Sequence, residues 1–266
     1  MNARARSAFF LLAVICLLLG PAASLHAGDQ DTSTVSGLIR QGDDYSEKQF
    51  NNEKALKAFQ EAFAHAPNSY DILWRLSRTY VDIGEHQPAK TDAEKQEQLK
   101  TYEKALDFAE KAVLSNPNGS MGYTRRAIAR GRIALFRGIW ESIDMVKQTR
   151  TDCEKAIALD PNSAPAHYVL GRTHAKVCEK PRIVRWPLGL GWANMDESIA
   201  NYEKAIALRP DFIMYRLDCA RAYVEMDEYE KARAHLSAIP TLPKKDEDDD
   251  RFRTEAAQLM EQIKGK

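Results

Sequence analysis

Four times along this chain the same spacing of small and bulky residues leads up to a proline, and that recurrence constrains the fold more than any other feature. The copies run Ala55, Phe59, Ala62, Pro67; Ala105, Ala109, Ala112, Pro117; Thr149, Cys153, Ala156, Pro161; and Ser198, Tyr202, Ala205, Pro210. Two of them, CEKAIALDP at 153–161 and YEKAIALRP at 202–210, are nearly one phrase. A degraded fifth copy, Ala232, Leu236 and Ile239, lacks the proline. Steps of four and three residues keep the first three positions on one helical face. The small alanine lets a neighbouring helix approach, and the larger residue fills the space beside it. Proline then ends the helix, because the residue before it is pushed out of the α region.

A second helical pattern follows each proline: Leu73, Leu76, Tyr80 and Gly84; Tyr123 and Ala127; His167, Leu170, Gly171 and His174; Cys219, Ala220 and Tyr223. This two-helix unit resembles the tetratricopeptide repeat, which implies an all-α, right-handed solenoid of about ten helices. The prolines lie 50, 44 and 49 residues apart, against about 34 for a plain unit. The surplus falls between the two helices of each unit. In the first it reads HQPAKTDAEKQEQLKTYEKA, polar and helix-forming, which predicts lengthened helices. In the third it reads RIVRWPLGLGWANM, apolar and broken by Gly and Pro, which predicts a structured loop. The stretch CEKAIALDPNSAPAHYVLGR, the Pro181–Trp192 insertion before a further YEKA helix, and TEAAQL at 254–259 together resemble the regulator of microtubule dynamics protein family. That resemblance covers residues 43–264.

The ends read differently. Arg4 and Arg6, the apolar run Ala8–Leu19, Gly20-Pro21 and small residues up to Ala27 have the three regions of a secretory signal peptide over residues 1–27. Export to the periplasm of a bacterial envelope is therefore expected, with Gly28 as the mature N-terminus; the alternative is an uncleaved membrane anchor. Residues 28–42 are polar and read as a flexible linker, 43–243 as the repeat domain, and 244–266 as a C-terminal capping helix built on Phe252, Ala256, Leu259 and Ile263. The chain balances 38 basic against 38 acidic residues, and loss of residues 1–27 leaves 36 − 38 = −2. No global charge argues for nucleic acid. Cys153, Cys178 and Cys219 are scattered, an odd set without CxxC, and read as buried thiols and not as a disulfide framework.

In the resembled repeat, the first helix of each unit lines a concave groove. Carried over position by position, this places Trp74, Thr124, Tyr168 and Leu217 at one groove position and Arg78, Ile128, Arg172 and Arg221 one turn on. Asp82, Arg132, Lys176 and Glu225 follow another turn along. Arginines beside aromatic faces suit an acidic peptide or an anionic headgroup; ordinary ion pairs with acids on adjacent helices are the competing account. Arg125, Arg126, Arg130, Arg132 and Arg137 crowd one helix, with Arg126 and Arg130 at positions that are usually apolar. Either that helix is partly exposed or the register slips, and a polyanion contact or a solvated face would follow.

Trp186, Leu188, Leu190 and Trp192 concentrate apolar area in the inserted loop, either to cover an end of the core or to act as a lid or lipid contact. His167, His174 and Cys178 share a helical face, but the two histidines sit at interior positions and read as packed residues, so no metal site is expected. The run KKDEDDD at 244–250 lacks the glycine and glutamate of a calcium loop and reads as acid at a helix start. No GxSxG, P-loop, GxGxxG, HExxH or CxxC is present, and no catalytic residue or cofactor is nominated. The expected function is a non-enzymatic scaffold that holds a protein or peptide with acidic groups in its groove. Phospholipid binding or transfer under the 181–192 loop is the alternative, and the resemblance adds a microtubule-associated role as a third.

Overall fold

The computed structural model describes residues 24–137 and 139–266. Apart from residues 24–27, the expected signal peptide lies outside the described residues. Five helix pairs stack in chain order: α1 (Ser24–Glu47) with α2 (Asn52–His65), α3 (Tyr70–His86) with α4 (Asp92–Ser115), and α5 (Ser120–Ala134) with α6 (Ile139–Leu159). Then come α7 (Ala164–Cys178) with α9 (Met195–Leu208), separated by the four-residue α8 (Arg182–Arg185), and α10 (Ile213–Glu225) with α11 (Tyr229–Ala238). A 3-10 turn, Ile239–Thr241, leads to the last helix, α12 (Asp249–Gln262). The all-α solenoid is thus as expected, with α1 and α8 bringing the described helices to twelve.

The recurring phrase carries the packing. Its three helical positions are between 0% and 3% exposed in all four full copies and also in Ala232, Leu236 and Ile239. After each proline the chain makes the same turn: the amides of Ser69, Gly119, Ser163 and Phe212 bond the carbonyls of Ala66, Asn116, Asp160 and Arg209. The polar surplus of the first unit lengthens α4 to 24 residues. Its start is fixed by a capping box, in which Thr91 Oγ1 accepts from the Glu94 amide and Glu94 accepts from the Thr91 amide. The surplus of the third unit forms the 179–194 loop around α8.

The expected linker at 28–42 is helical instead. It is the middle of α1, the first helix of a fifth full unit. Val35, Leu38, Ile39 and Tyr45 pack on the cluster around Phe59, Ile72 and Leu76, and a Cβ on Gly42 would stand 2.4 Å from the Phe59 ring. The signal was Gly42-x2-Tyr45, the repeat's own spacing, hidden in a stretch that is polar because a terminal helix turns one side to water. Among the described residues no helix is long and apolar enough to cross a membrane.

Candidate functional site

The solenoid curls far enough for its last segment to cross back over its inner face. The stretch after α11, expected only to cap the end, bridges the two halves of the molecule. Asn52 Nδ2 donates to Glu247 Oε1 at 2.7 Å, and His86 faces Glu247 at 3.2 Å and Asp248 at 3.5 Å. Lys245 reaches Asp211 at 3.7 Å. Behind this bridge α12 buries Phe252 and Ala256, and Ile263 just after it, in the largest cluster of the core. Between the bridge and the first helices of the units lies a hollow of about 250 Å³.

Three of the arginines named from sequence, Arg132, Arg172 and Arg221, line that one hollow, together with Asp218, Asp248 and Glu255. Each already has a carboxylate from its own chain. Arg132 pairs with Glu85. Arg221 donates to Asp218 at 2.8 Å and to Glu255 at 2.6 Å. Arg172 donates to the Tyr168 hydroxyl at 3.0 Å, which in turn donates to Asp218 at 2.7 Å. Tyr168 also stacks on Tyr215, with centroids 4.6 Å apart. Burial and the Asp218 charge push its hydroxyl well above the usual phenol range, so it stays a donor.

Arg78 and Trp74 lie nearer α1. Arg78 donates to Asp43 at 3.1 Å and Glu47 at 2.7 Å, while Arg75 shares Asp43 at 2.9 Å. Trp74 carries Arg75 on one face at 4.1 Å, with Arg78 at 5.6 Å and Arg125 at 5.9 Å. Lys176 is outside this constellation and pairs with the exposed Glu179 at 2.6 Å. Among the described residues, each of these groove arginines thus has an ion-pair partner within the chain. Sequence reasoning missed Asp218, Asp248 and Glu255. The acidic run was visible, yet its spacing holds no sign that the superhelix returns it to the inner face.

The crowded arginines of α5 show no slip of register. Asp152 on α6 is almost fully enclosed and receives Arg126 through Nε at 3.0 Å and Nη2 at 2.6 Å, and Arg130 at 2.6 Å. Arg130 also reaches Glu110 at 3.3 Å. Two charged residues at interior positions are admitted because a buried acid faces them across the helix pair.

The inserted loop divides. Leu188, Leu190 and Trp192 pack with Val177, Cys178, Ile143 and Val146, and Trp192 takes the Arg150 guanidinium 4.5 Å over its ring. Trp186 points outward at 70% exposed beside Ile183 at 83%. His167 bonds Asn201 and the Pro161 carbonyl, both at 3.1 Å. His174 accepts the Asn194 amide at 3.3 Å and meets the Trp192 edge. Both histidines are thus packed residues with their own partners. Glu203, Cys219 and His235 converge within 4.8 Å. There Glu203 Oε1 accepts from Tyr223 at 2.9 Å and faces His235 Nε2 at 3.0 Å.

A solved structure described as a thermophilic TPR protein in Thermus thermophilus superposes with a TM-score of 0.63 at 21% identity, covering 85% of this chain and all of that one. Pseudomonas aeruginosa pilF superposes at 0.53 with 14% identity, over 89% of this chain and 95% of its own. Both likenesses establish the fold alone. Regulator of microtubule dynamics protein 1 of Mus musculus is 29% identical over 196 residues, 71% of this chain and 63% of the relative. Protein 3 of Bos taurus is 26% identical over 259 residues, 92% of this chain and 52% of the relative. The chain thus spans between half and two thirds of the length of these two relatives. The family described as regulator of microtubule dynamics protein 1-3 matches residues 38–264, from inside α1 to the end of α12. A match that takes in the misread first helix, the inserted loop and the returning tail shows that the chain belongs to the regulator of microtubule dynamics protein family.

Proposed function

We propose that the protein is a non-enzymatic scaffold whose concave groove receives an acidic segment of a partner protein. The observation that carries this reading is the chain's own tail: an acid-rich stretch already lies across the groove, with Glu255 on Arg221 and Glu247 and Asp248 on His86. A surface that binds its own carboxylates this way suits a partner presenting the same chemistry. A rigid solenoid also loses little entropy when it binds.

The test uses a labelled peptide of residues 244–257, KKDEDDDRFRTEAA, offered to the chain carrying Glu247→Gln, Asp248→Asn and Glu255→Gln. Fluorescence anisotropy should report a Kd of about 1–100 μM, weakened several-fold by Arg221→Gln. Absence of binding by the altered chain would remove the reading.

A second reading, contact with anionic lipid, has its own observation. Ile183, Val184 and Trp186 are exposed together, and residues 180–192 carry Lys180, Arg182 and Arg185 with no acid. Tryptophan flanked by cations suits a headgroup interface. Leu190 and Trp192, by contrast, are spent on packing, so the contact is assigned to the loop's outer tip and not to a cavity beneath it. Sedimentation with phosphatidylglycerol vesicles should capture the chain and lose it on Trp186→Ala; equal capture of both proteins would exclude the tip. The relatives' name makes microtubule proteins a further partner class, which co-sedimentation with polymerised tubulin addresses. Export follows from the N-terminal pattern, and sequencing the mature N-terminus should return Gly28; an intact Met1 would favour the anchor.

A further inference from the structure

Among the described residues, the arginines of α3, α5, α7 and α10 all have a hydrogen bond or ion pair with one exception. Arg75 and Arg78 hold Asp43 and Glu47. Arg126 and Arg130 hold Asp152, Arg132 holds Glu85, and Arg172 and Arg221 surround Asp218. Arg216 donates to the Pro210 carbonyl. Arg125 has no such partner. Its Nε is enclosed and unbonded, and its recorded ring contact is the face of Trp74 at 5.9 Å.

The surroundings explain why the fold leaves this charge unspent. Arg78, the neighbouring cation, also keeps an enclosed Nε without a partner. The carboxylates of Asp43, Glu47 and Asp71 are engaged by Arg75 and Arg78. Asp82 acts on both arginines electrostatically but forms no ion pair with either, and burial pushes its carboxyl up to about 7 against the pull of Arg78 and Arg125. Burial first, then repulsion by Arg78, brings the Arg125 guanidinium down to about 10. The Arg125 guanidinium is therefore left without a hydrogen-bond or ion-pair partner beside an indole face, where an unpaired enclosed cation is costly.

We propose that Arg125, with Trp74 beside it, is an oxyanion-binding site that anchors one carboxylate of the segment received by the groove. The identity of the ligand rests on the scaffold reading; the site itself rests on Arg125. A carboxylate fits better than phosphate because Asp82 and Glu47 stand within electrostatic reach of Arg125, and a second negative charge on the ligand would meet them. The planar fork of arginine matches a carboxylate edge-on and leaves Trp74 to cover the ligand's apolar stem.

The test follows the arginine Nε–Hε resonances of the full ¹⁵N-labelled chain at constant ionic strength, with the Arg125 signal assigned by its loss in Arg125→Lys. Glutarate, inorganic phosphate and phosphatidylglycerol vesicles are titrated separately. Glutarate should shift the Arg125 signal saturably with a Kd of about 1–10 mM, and Arg125→Met should abolish the associated chemical-shift changes around Trp74. Because the substitution removes an unpaired charge, Arg125→Met should also raise Tm; a fall in Tm would assign Arg125 a structural partner and overturn the proposal. No saturable shift with glutarate overturns it, as does a response to phosphate or vesicles alone. If the tail peptide fails to bind yet glutarate shifts Arg125, the scaffold reading falls and the anion site stands; the converse removes the site alone.

Discussion

The solenoid ends in two helices that treat the same groove in different ways. At the N-terminal end α1 sets Asp43 and Glu47 on Arg75 and Arg78, and this polar edge is backed by Val35, Leu38, Ile39 and Tyr45 packed round Phe59. At the C-terminal end α12 is anchored by Phe252, Ala256 and Ile263, but the stretch before it reaches Asn52, His86 and Asp211 through polar contacts. Apolar area removed from water is worth about 25 cal/mol per Å², whereas partly exposed ion pairs are worth about 0–1 kcal/mol each. The α1 wall of the groove is therefore held by apolar burial, and the facing 244–248 bridge by polar contacts.

The largest effect should come from the wall. Phe59 is fully buried and fills the space left by Gly42, so Phe59→Ala should destabilise the fold by about 3–5 kcal/mol, measured by urea unfolding. Phe252→Ala, at 7% exposure on the returning helix, should cost less and leave the α1–α4 amides protected in hydrogen exchange. Equal losses of protection in both variants would break the distinction between wall and bridge. Next in size is Asp152→Ala. It removes the carboxylate of Arg126 and leaves Arg130 only Glu110, at a cost of about 3 kcal/mol, and unfolding as easily as Phe59→Ala would show that the middle of the stack rests on charge as much as on packing.

How much of this could be read in the sequence depends on the range of the interaction. The helix pairs were legible because Ala62, Ala112, Ala156 and Ala205 and their companions obey a local period, and burial follows period. The lengthened α4 and the broken third insertion were legible for the same reason. The groove positions were half legible. Arg132, Arg172 and Arg221 do come together, and Asp218 lies within one turn of Arg221, but other partners lie at separations such as the 34 residues between Arg221 and Glu255. No helical period links such residues, since the small rotation accumulated at each stacked unit decides whether they meet. Gly42 and Tyr45 were a local signal overlooked within polar surroundings. Arg125 was one of a crowd until the fold paired its neighbours.

A smaller effect should separate the two acidic edges directly. Asp43→Asn removes a carboxylate shared by Arg75 and Arg78, whose side chains are 16% and 11% exposed, and should cost about 1–2 kcal/mol. Glu255→Gln removes one partner of Arg221, which is 45% exposed and keeps Asp218, and should cost under about 1 kcal/mol. Chemical denaturation of the two variants decides the order, and a larger loss for Glu255→Gln would make the tail the tighter edge.

The smallest effect concerns pH and the docking of the bridge. Burial opposes protonation of His86, but the Asp82 carbonyl and the Glu247 and Asp248 carboxylates outweigh it and raise its pKa. A raised histidine contributes docking energy that is complete below its undocked value and is lost as pH rises through the docked one. Burial raises Asp82 to about 7 and also raises Asp246, so ionisation of both carboxyls opposes docking over the same rise in pH. Asp248 runs the other way: burial is outweighed by the Arg251 hydrogen bond and the Arg251 and His86 charges, which lower its pKa. Its contribution is present above the ordinary aspartate value and is lost as pH falls through the lowered one. The bridge should therefore dock most firmly near pH 5 and loosen toward about pH 8. Amide exchange of residues 244–250, corrected for intrinsic rate, measures the docking. His86→Asn should flatten part of the neutral-side loss, and protection that is uniform from about pH 5 to pH 8 in the unaltered chain would mean that the bridge is as fixed as the wall it faces.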